Sequence, residues 1–423
     1  MLNNTGIKSY PMISLPLDIP DINVSRAHLN ENNDYIITVE SRQSYINCQH
    51  CGRKITNFHG QGRQIELRHL SVFGYRTYIH LRPKQAKCSH CDDKMTTQSL
   101  TWYETKRPHT KAYDQHLMLQ LIGGTVEDVS RKEKVGYDAV AGSLVRWLDT
   151  RVNWDDFTDL KVIGIDEIAL TKGRKNFVAI VTTPQADGHV AILTVLPDRK
   201  KETVRQFLES IPTRLSRTID TSCIDMWEGY ANAVKEFVAE VSIDVVADRY
   251  HVAKNYRECV DKIRKQEGRR LKKLLPETEY EEMVKGMMWP IRKNNRDLTT
   301  DERKKLRRLF TYSPKLKLAY TFREELTAIF ELPLTKQEAK KRLLNWAAKV
   351  RGSTLTCFDK FLTTLNNWLD EIGNYFVNRL SSGFVEGLNN KLKTIKRRCY
   401  GLPRVATLFQ RLYLDIEGYR RFA

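Results

Sequence analysis

The chain has 423 residues, with 70 Lys and Arg against 51 Asp and Glu, a formal net charge of +19. That length is ample for about three domains. A balance this basic points to a polyanionic partner, nucleic acid above all, with a ribosome-associated or simply basic protein as the alternative. No apolar run approaches the ~18 residues of a membrane span, and MLNNTGIKSYPMISLPLDIP lacks the basic-then-apolar order of a signal peptide.

Four of the eight cysteines are paired at metal-ligand spacing and four (Cys223, Cys259, Cys357, Cys399) are scattered singly. This is the pattern of a reducing compartment, not of a disulfide framework, so a cytoplasmic location is expected. Residues 1–45 offer one strand-like piece, Asp34–Val39. Cys48-Gln-His-Cys51 and Cys88-Ser-His-Cys91 then flank an aromatic-rich alternation over Leu67–Leu81. Two C-x-x-C knuckles around a hairpin suit a structural Cys₄ zinc ribbon, which leaves no open metal position for catalysis. The spacer of 36 residues is longer than usual, and His50 and His90 are alternative ligands inside the knuckles. Residues 1–100 are read as this zinc-binding domain.

Residues 101–155 read as three helices: Tyr113–Ile122, Val126–Lys134 capped by Thr125, and Asp138–Leu148 after a turn at Gly136. A helix-turn-helix that reads DNA and a plain helical packing unit both fit. From Lys161 the period changes to strands. KVIGIDEIAL delivers Asp166 to the end of an apolar run, and a bare carboxylate there asks for a cation. Strands over Asn176–Thr183 and His189–Leu196 follow, then a helix over Glu202–Ile211 and a strand over Thr218–Asp225. A helix from Tyr230 and a strand over Ile243–Asp248 complete a mixed α/β sheet across residues 156–254.

Residues 255–375 are helical and basic, as in KIRKQEGRRLKK and RKKLRR, with Pro276, Pro290, Pro314 and Pro333 expected to separate helices. Residues 376–423 contain SSGFVEGLNNKLKTIKRRCYGL. Ser382 is placed to cap a helix whose apolar stripe is Val385, Leu388, Leu392 and Ile395. Glu386, Asn390, Lys393 and Arg397 share another face. A carboxylate early in this helix can hold a metal, while Asn390, Lys393, Lys396, Arg397 and Arg398 can hold DNA phosphates.

The knuckles, IDEIAL, IDMWEGY, ADRYHV and SSGFVEGLNNKLKTIKRRCYGL together resemble the ISL-three family of insertion-sequence transposases, over about residues 45 to 415. The resemblance implies a ribonuclease-H-like mixed-sheet catalytic core of DDE type with a helical insertion, preceded by the zinc ribbon and helix-turn-helix module. It implies Asp166 and Glu386 as catalytic ligands of Mg²⁺ or Mn²⁺. For the second aspartate, Asp225 is favoured by its place at the end of the fourth strand. Asp248 and His251 remain supporting or rival groups, and Asp244 and Asp220 are worse placed. Glu167 should point away from Asp166 by strand alternation.

The implied partners are double-stranded DNA, as terminal inverted repeats and target, and a second copy of the chain, in a nucleoid-associated cytoplasmic setting. A tyrosine nucleophile at Tyr250, Tyr256 or Tyr400 lacks the Arg/His constellation such chemistry needs. A non-catalytic or domesticated DNA-binding regulator, and a metal-dependent nuclease without strand transfer, stand as alternatives to cleavage and strand transfer.

Overall fold

The computed structural model describes residues 17, 19–170, 177–237, 242–380, 383–400 and 404–423, without the side chains of 384–386. The chain divides into two compact units, residues 1–148 with 417–423, and residues 149–416.

The first unit begins with β1 (Ile22–Leu29) and β2 (Tyr35–Ser41). β1 escapes the sequence reading because its side chains are largely exposed and carry no apolar period. Short β3 (Ile46–Asn47), β4 (Lys54–Ile55) and β5 (Gly60–Gln61) precede the hairpin β6 (Ile65–Val72) and β7 (Tyr75–Leu81), with β8 (Lys84–Cys88) and β9 (Lys94–Thr97) after it. The hairpin turns at Phe73 and Gly74, both at positive φ. It does not bridge the knuckles, as the sequence suggested. It joins a separate four-stranded sheet of order β1-β2-β7-β6, while the knuckles ride on β3-β4 and β5-β8-β9. The long spacer is thus a small ribbon with a hairpin inserted into it. Ile37, Val39, Leu67, Ile79, Leu81, Leu100 and Trp102 form the core of that four-stranded sheet.

Three helices follow: α1 (Lys111–Leu121), α2 (Val126–Glu133) and α3 (Tyr137–Trp147). Thr110 and Thr125 cap the first two through their hydroxyls. Buried Asp114 of α1 ties the group together, accepting from His109, from Ser143 and from Arg146 of α3 at 3.0, 2.7 and 2.8 Å.

The second unit is a five-stranded mixed sheet of order β12-β11-β10-β13-β14, built from β10 (Lys161–Ala169), β11 (Phe177–Pro184), β12 (Val190–Leu196), β13 (Ile219–Ile224) and β14 (Asp244–Ala247). β10, β11 and β12 are antiparallel neighbours, whereas β13 and β14 run parallel to β10. The parallel steps need crossovers, supplied by α4 (Lys201–Glu209) with the short α5 (Thr213–Ser216), and by α6 (Glu228–Glu236). The basic turn 171–175 lies outside the described residues.

Beyond the sheet, α7 (Arg249–Leu274), α8 (Glu277–Val284), α9 (Met288–Arg292), α10 (Thr300–Tyr312), α11 (Pro314–Glu331), α12 (Lys336–Arg351), α13 (Asp359–Asn367) and α14 (Leu369–Asn378) form the insertion. Pro276 precedes α8, Pro314 opens α11 and Pro333 separates α11 from α12, but Pro290 sits inside α9. α14 returns to the edge strand, where Asn374 donates to the Val245 carbonyl at 2.8 Å, so an otherwise bare sheet edge is covered. α15 (Gly383–Arg398) and α16 (Val405–Phe422) end the chain.

The two sheet faces bury different partners. Ile163 and Ile165 pack with Val204, Leu208, Tyr230 and Ala233 of α4 and α6. Ile168, Val178, Ile180 and Ile192 pack with Leu388, Leu392 and Ile395 of α15 and Leu408, Phe409 and Leu412 of α16. Each fully buried leucine here contributes about 1.5–3 kcal/mol. The two faces decide where the polar residues of β10 go. Among the described residues no helix is long and apolar enough to cross a membrane.

Candidate metal and DNA-processing site

Side chains alternate along β10, so Asp166 shares the α15 face with Ile168 and Glu167 shares the α4/α6 face with Ile165. Glu167 accordingly pairs with Arg199 at 2.7 Å, and the guanidinium also lies over the rings of Trp227 and Phe177. The expectation that Asp166 finishes its strand is corrected. β10 continues to Ala169, with Asp166 opposite Ile180 of β11. What stops at this level is β13, whose last residue Ile224 pairs with Ile165. The next residue along each strand is an aspartate, Asp166 on one and Asp225 on the other. The ending of β13 is what brings their carboxylates together.

A third group enters from α7. Asp248 caps that helix, its carboxylate accepting from the Tyr250 N–H at 3.0 Å, while its own N–H donates to the Ile224 carbonyl at 3.0 Å. One turn on, His251 Nδ1 stands 3.5 Å from Asp225 Oδ1 and 3.5 Å from Asp248 Oδ2. Single donor atoms of Asp166, Asp225 and His251 all lie within 4.8 Å of one another. Asp166 also accepts the Glu167 N–H at 2.6 Å and the Asn389 amide of α15. Burial pushes the Asp166 carboxyl up from the usual range, and the charge of Asp225 pushes the same way. These residues border a cleft of about 280 Å³ together with Tyr250, Lys254, Asn390 and Lys393.

Hard cations select oxygen donors, and two carboxylates beside an imidazole suit a divalent ion that tolerates one nitrogen. Glu386 falls in the first turn of α15, but its side chain lies outside the described residues, as does Ser382. Of the basic residues of α15, Lys393 borders the cleft, and Arg397 donates through Nε to the Lys393 carbonyl of its own helix. Lys396 is turned inward to the Ala169 carbonyl, and burial lowers its ammonium pKa. Arg398 pairs with buried Asp415. Asn389 was not among the residues singled out from sequence. Its signal was present: it lies at i+3 from Glu386, as close to that stripe as Asn390 at i+4.

In the first unit, the sulfurs of Cys48, Cys51, Cys88 and Cys91 gather within 4.8 Å. Cys51–Cys88 and Cys48–Cys91 are 3.7 and 3.9 Å apart. Thiolates about 2.3 Å from a tetrahedral zinc are themselves about 3.8 Å apart, so the cluster fits the ion. Backbone N–H groups of Cys51 and His50 pull the Cys48 thiol down to about 5, while its neighbours and burial push Cys91 up to about 12. Four adjacent thiolates need a cation, and this donor set supports structural zinc. His50 and His90 are not part of the cluster.

A zinc ribbon and a mixed α/β domain with clustered carboxylates define the class, and comparison with known sequences gives the family. A profile described as zinc-finger of transposase IS204/IS1001/IS1096/IS1165 matches residues 44–91, and one described as Transposase, of the ISL-three DDE group, matches residues 163–412. The chain belongs to this family of insertion-sequence transposases. It is similar to the transposase for insertion sequence element IS1001 of Bordetella parapertussis, 25% identical over 377 residues, 88% of this chain and 89% of the relative. It is also similar to the transposase for insertion sequence element IS1557 of Mycobacterium tuberculosis, 22% identical over 424 residues, 95% and 93% of the two chains.

Proposed function

We propose that this transposase cuts the ends of its own insertion sequence and joins them to target DNA, using a DDE site of Asp166, Asp225 and Glu386. The observation that carries this reading is the convergence of Asp166, Asp225 and His251 at the level where β13 stops. We read the strand order, three antiparallel strands followed on one side by two parallel ones, as a ribonuclease-H-like core interrupted by the helical insertion before α15.

Two Mg²⁺ or Mn²⁺ ions held by these carboxylates would activate the attacking hydroxyl and stabilise the departing oxygen. Asp166 and Asp225 lend the charge from a rigid sheet, so their positions need no reorganisation. Glu386 would add its carboxylate from the first turn of α15, the helix whose Leu388 and Leu392 pack on β10 and β11. His251 orients Asp225, and Asp248 acts as a helix cap, which favours Asp225 as the second aspartate. Asn390, Lys393 and Arg397 face the DNA, whereas half-buried Lys396 and Arg398 are engaged by Ala169 and Asp415 and drop out of that set.

The same reading gives residues 101–155 as a helix-turn-helix, with α2 and α3 joined by a short turn in which Lys134 is left-handed, and residues 1–100 as the zinc domain that supports it. Residues 156–254 and 376–423 form the catalytic core around the 255–375 insertion. Pairing two DNA ends requires at least a dimer. The test is cleavage and joining of end-bearing DNA by Asp166→Ala, Asp225→Ala and Glu386→Ala. Each should lose both steps yet retain DNA binding, and retention of cleavage by any one removes that residue from the site.

A further inference from the structure

Asn389 is held in one orientation. Its Nδ2 donates to Asp166 Oδ2, and turning the amide over would set its oxygen against a carboxylate oxygen, where neither can donate. Oδ1 is therefore the free end of the group. It is buried and accepts no hydrogen bond among the described residues. A buried acceptor with no donor is uncommon and carries an uncompensated desolvation cost. The helix that carries it is fixed on the sheet, because Leu388 beside it and Leu392 one turn on pack against Ile168, Val178 and Ile180. Asn389 lines the same cleft as Asp166, Asp225 and His251. Of the cleft's ammonium groups, neither Lys254 nor Lys393 reaches Oδ1.

We infer that Asn389 is a metal-site residue with two tasks: its Nδ2 fixes the Asp166 carboxylate, and its Oδ1 is a neutral oxygen ligand for the divalent cation that Asp166 and Asp225 attract. The inference rests on the proposed metal-dependent reading and deepens it. Carboxamide oxygens serve hard cations alongside carboxylates. A neutral donor also adds no charge beside two aspartates that already repel each other. Asn389 follows Glu386 by three residues, so one face of α15 would present both an acidic and a neutral oxygen to the same ion.

The test is Mn²⁺ binding by the full-length, zinc-loaded protein without DNA, followed by the electron paramagnetic resonance signal of free Mn²⁺. Asn389→Ala should raise the Mn²⁺ Kd about tenfold or more, the scale at which residues supporting a metal ligand act. Its zinc content and its binding of end DNA in EDTA should be unchanged. Asn389→Asp should bind Mn²⁺ more tightly than Asn389→Ala and close to the native chain, because a carboxylate oxygen replaces Oδ1 and offsets the Nδ2 contact that both variants lose. It also keeps the test valid if the alanine variant fails to fold. Superimposable titrations of Asn389→Ala and native protein overturn the inference while leaving the metal reading intact. Binding by a folded Asn389→Asp as weak as that of the alanine variant overturns the ligand role. A native chain that takes up no Mn²⁺ overturns the underlying metal reading and this inference with it.

Discussion

His251 Nδ1 stands 3.5 Å from the carboxylate of Asp225 and at the same distance from that of Asp248, yet the two aspartates are differently employed. Asp248 spends one oxygen on the Tyr250 N–H. Among the described residues no backbone N–H donates to the Asp225 carboxylate, and Asp225 borders the cleft beside Asp166. Asp225→Ala should therefore lower cleavage of end DNA by two orders of magnitude or more, the scale of removing one electrostatic partner of a reacting centre. Asp248→Ala should cost about 1 kcal/mol of stability through the lost cap and leave most of the cleavage. Gel-based cleavage assays and thermal melts of both variants separate these roles, and the opposite pattern would exchange the assignments.

The zinc cluster makes a compositional prediction. Purified protein should carry about one zinc per chain by mass spectrometry. Cys88→Ser, which removes a buried thiol, should abolish it together with the first unit's contribution to end binding. Zinc should be released increasingly as pH falls, because protons compete for thiolates. Native protein that is folded and free of zinc would contradict the site.

Much of this was legible in the sequence wherever a single period or spacing carried the information. The five strands of the second unit are apolar and short, so their places along the chain could be read directly, and the knuckles announce themselves by spacing. β1 could not be read, because a largely exposed strand has no apolar alternation. Nor could the depth of Asp166 within β10, since that depends on where the parallel neighbour β13 ends, a relation between residues about sixty positions apart. Helical periodicity put Asn390 on the face of Glu386 and Lys393, whereas the side chain bonded to Asp166 is that of Asn389. That contact depends on the packing of Leu388 and Leu392 against the sheet, which periodicity alone does not give. Likewise, the run Lys396-Arg397-Arg398 looks uniformly basic in sequence. Only the fold reveals that its first and last members are turned to Ala169 and Asp415.

That division predicts different behaviour in salt. Binding of end DNA should weaken linearly on a logarithmic salt scale as counterions are displaced. Lys393→Ala and Arg397→Ala should each reduce the slope by about 1. Lys396→Ala should leave the slope unchanged and lower stability by about 1 kcal/mol, because the Ala169 carbonyl loses its donor. Fluorescence anisotropy across a salt series reads the slopes. Equal slopes for Lys393→Ala and native protein would remove Lys393 from the DNA-facing surface.

Asp114 gives the fold of the first unit a pH dependence. Burial pushes its carboxyl up, but hydrogen bonds from His109, Arg146 and Ser143 outweigh that and hold it below the usual range. Its folded pKa is thus lower than its unfolded one. The stability it contributes is complete above the unfolded value, near 3.8, and is lost as pH falls through the folded value. Asp114→Asn leaves the largely buried Arg146 without its anion, a change that costs about 3–5 kcal/mol in buried pairs. Urea melts of native and Asp114→Asn protein should differ most near neutral pH and converge below about pH 4. A difference that stays constant down to pH 3 would mean that the Asp114 charge is not what joins α1 to α3.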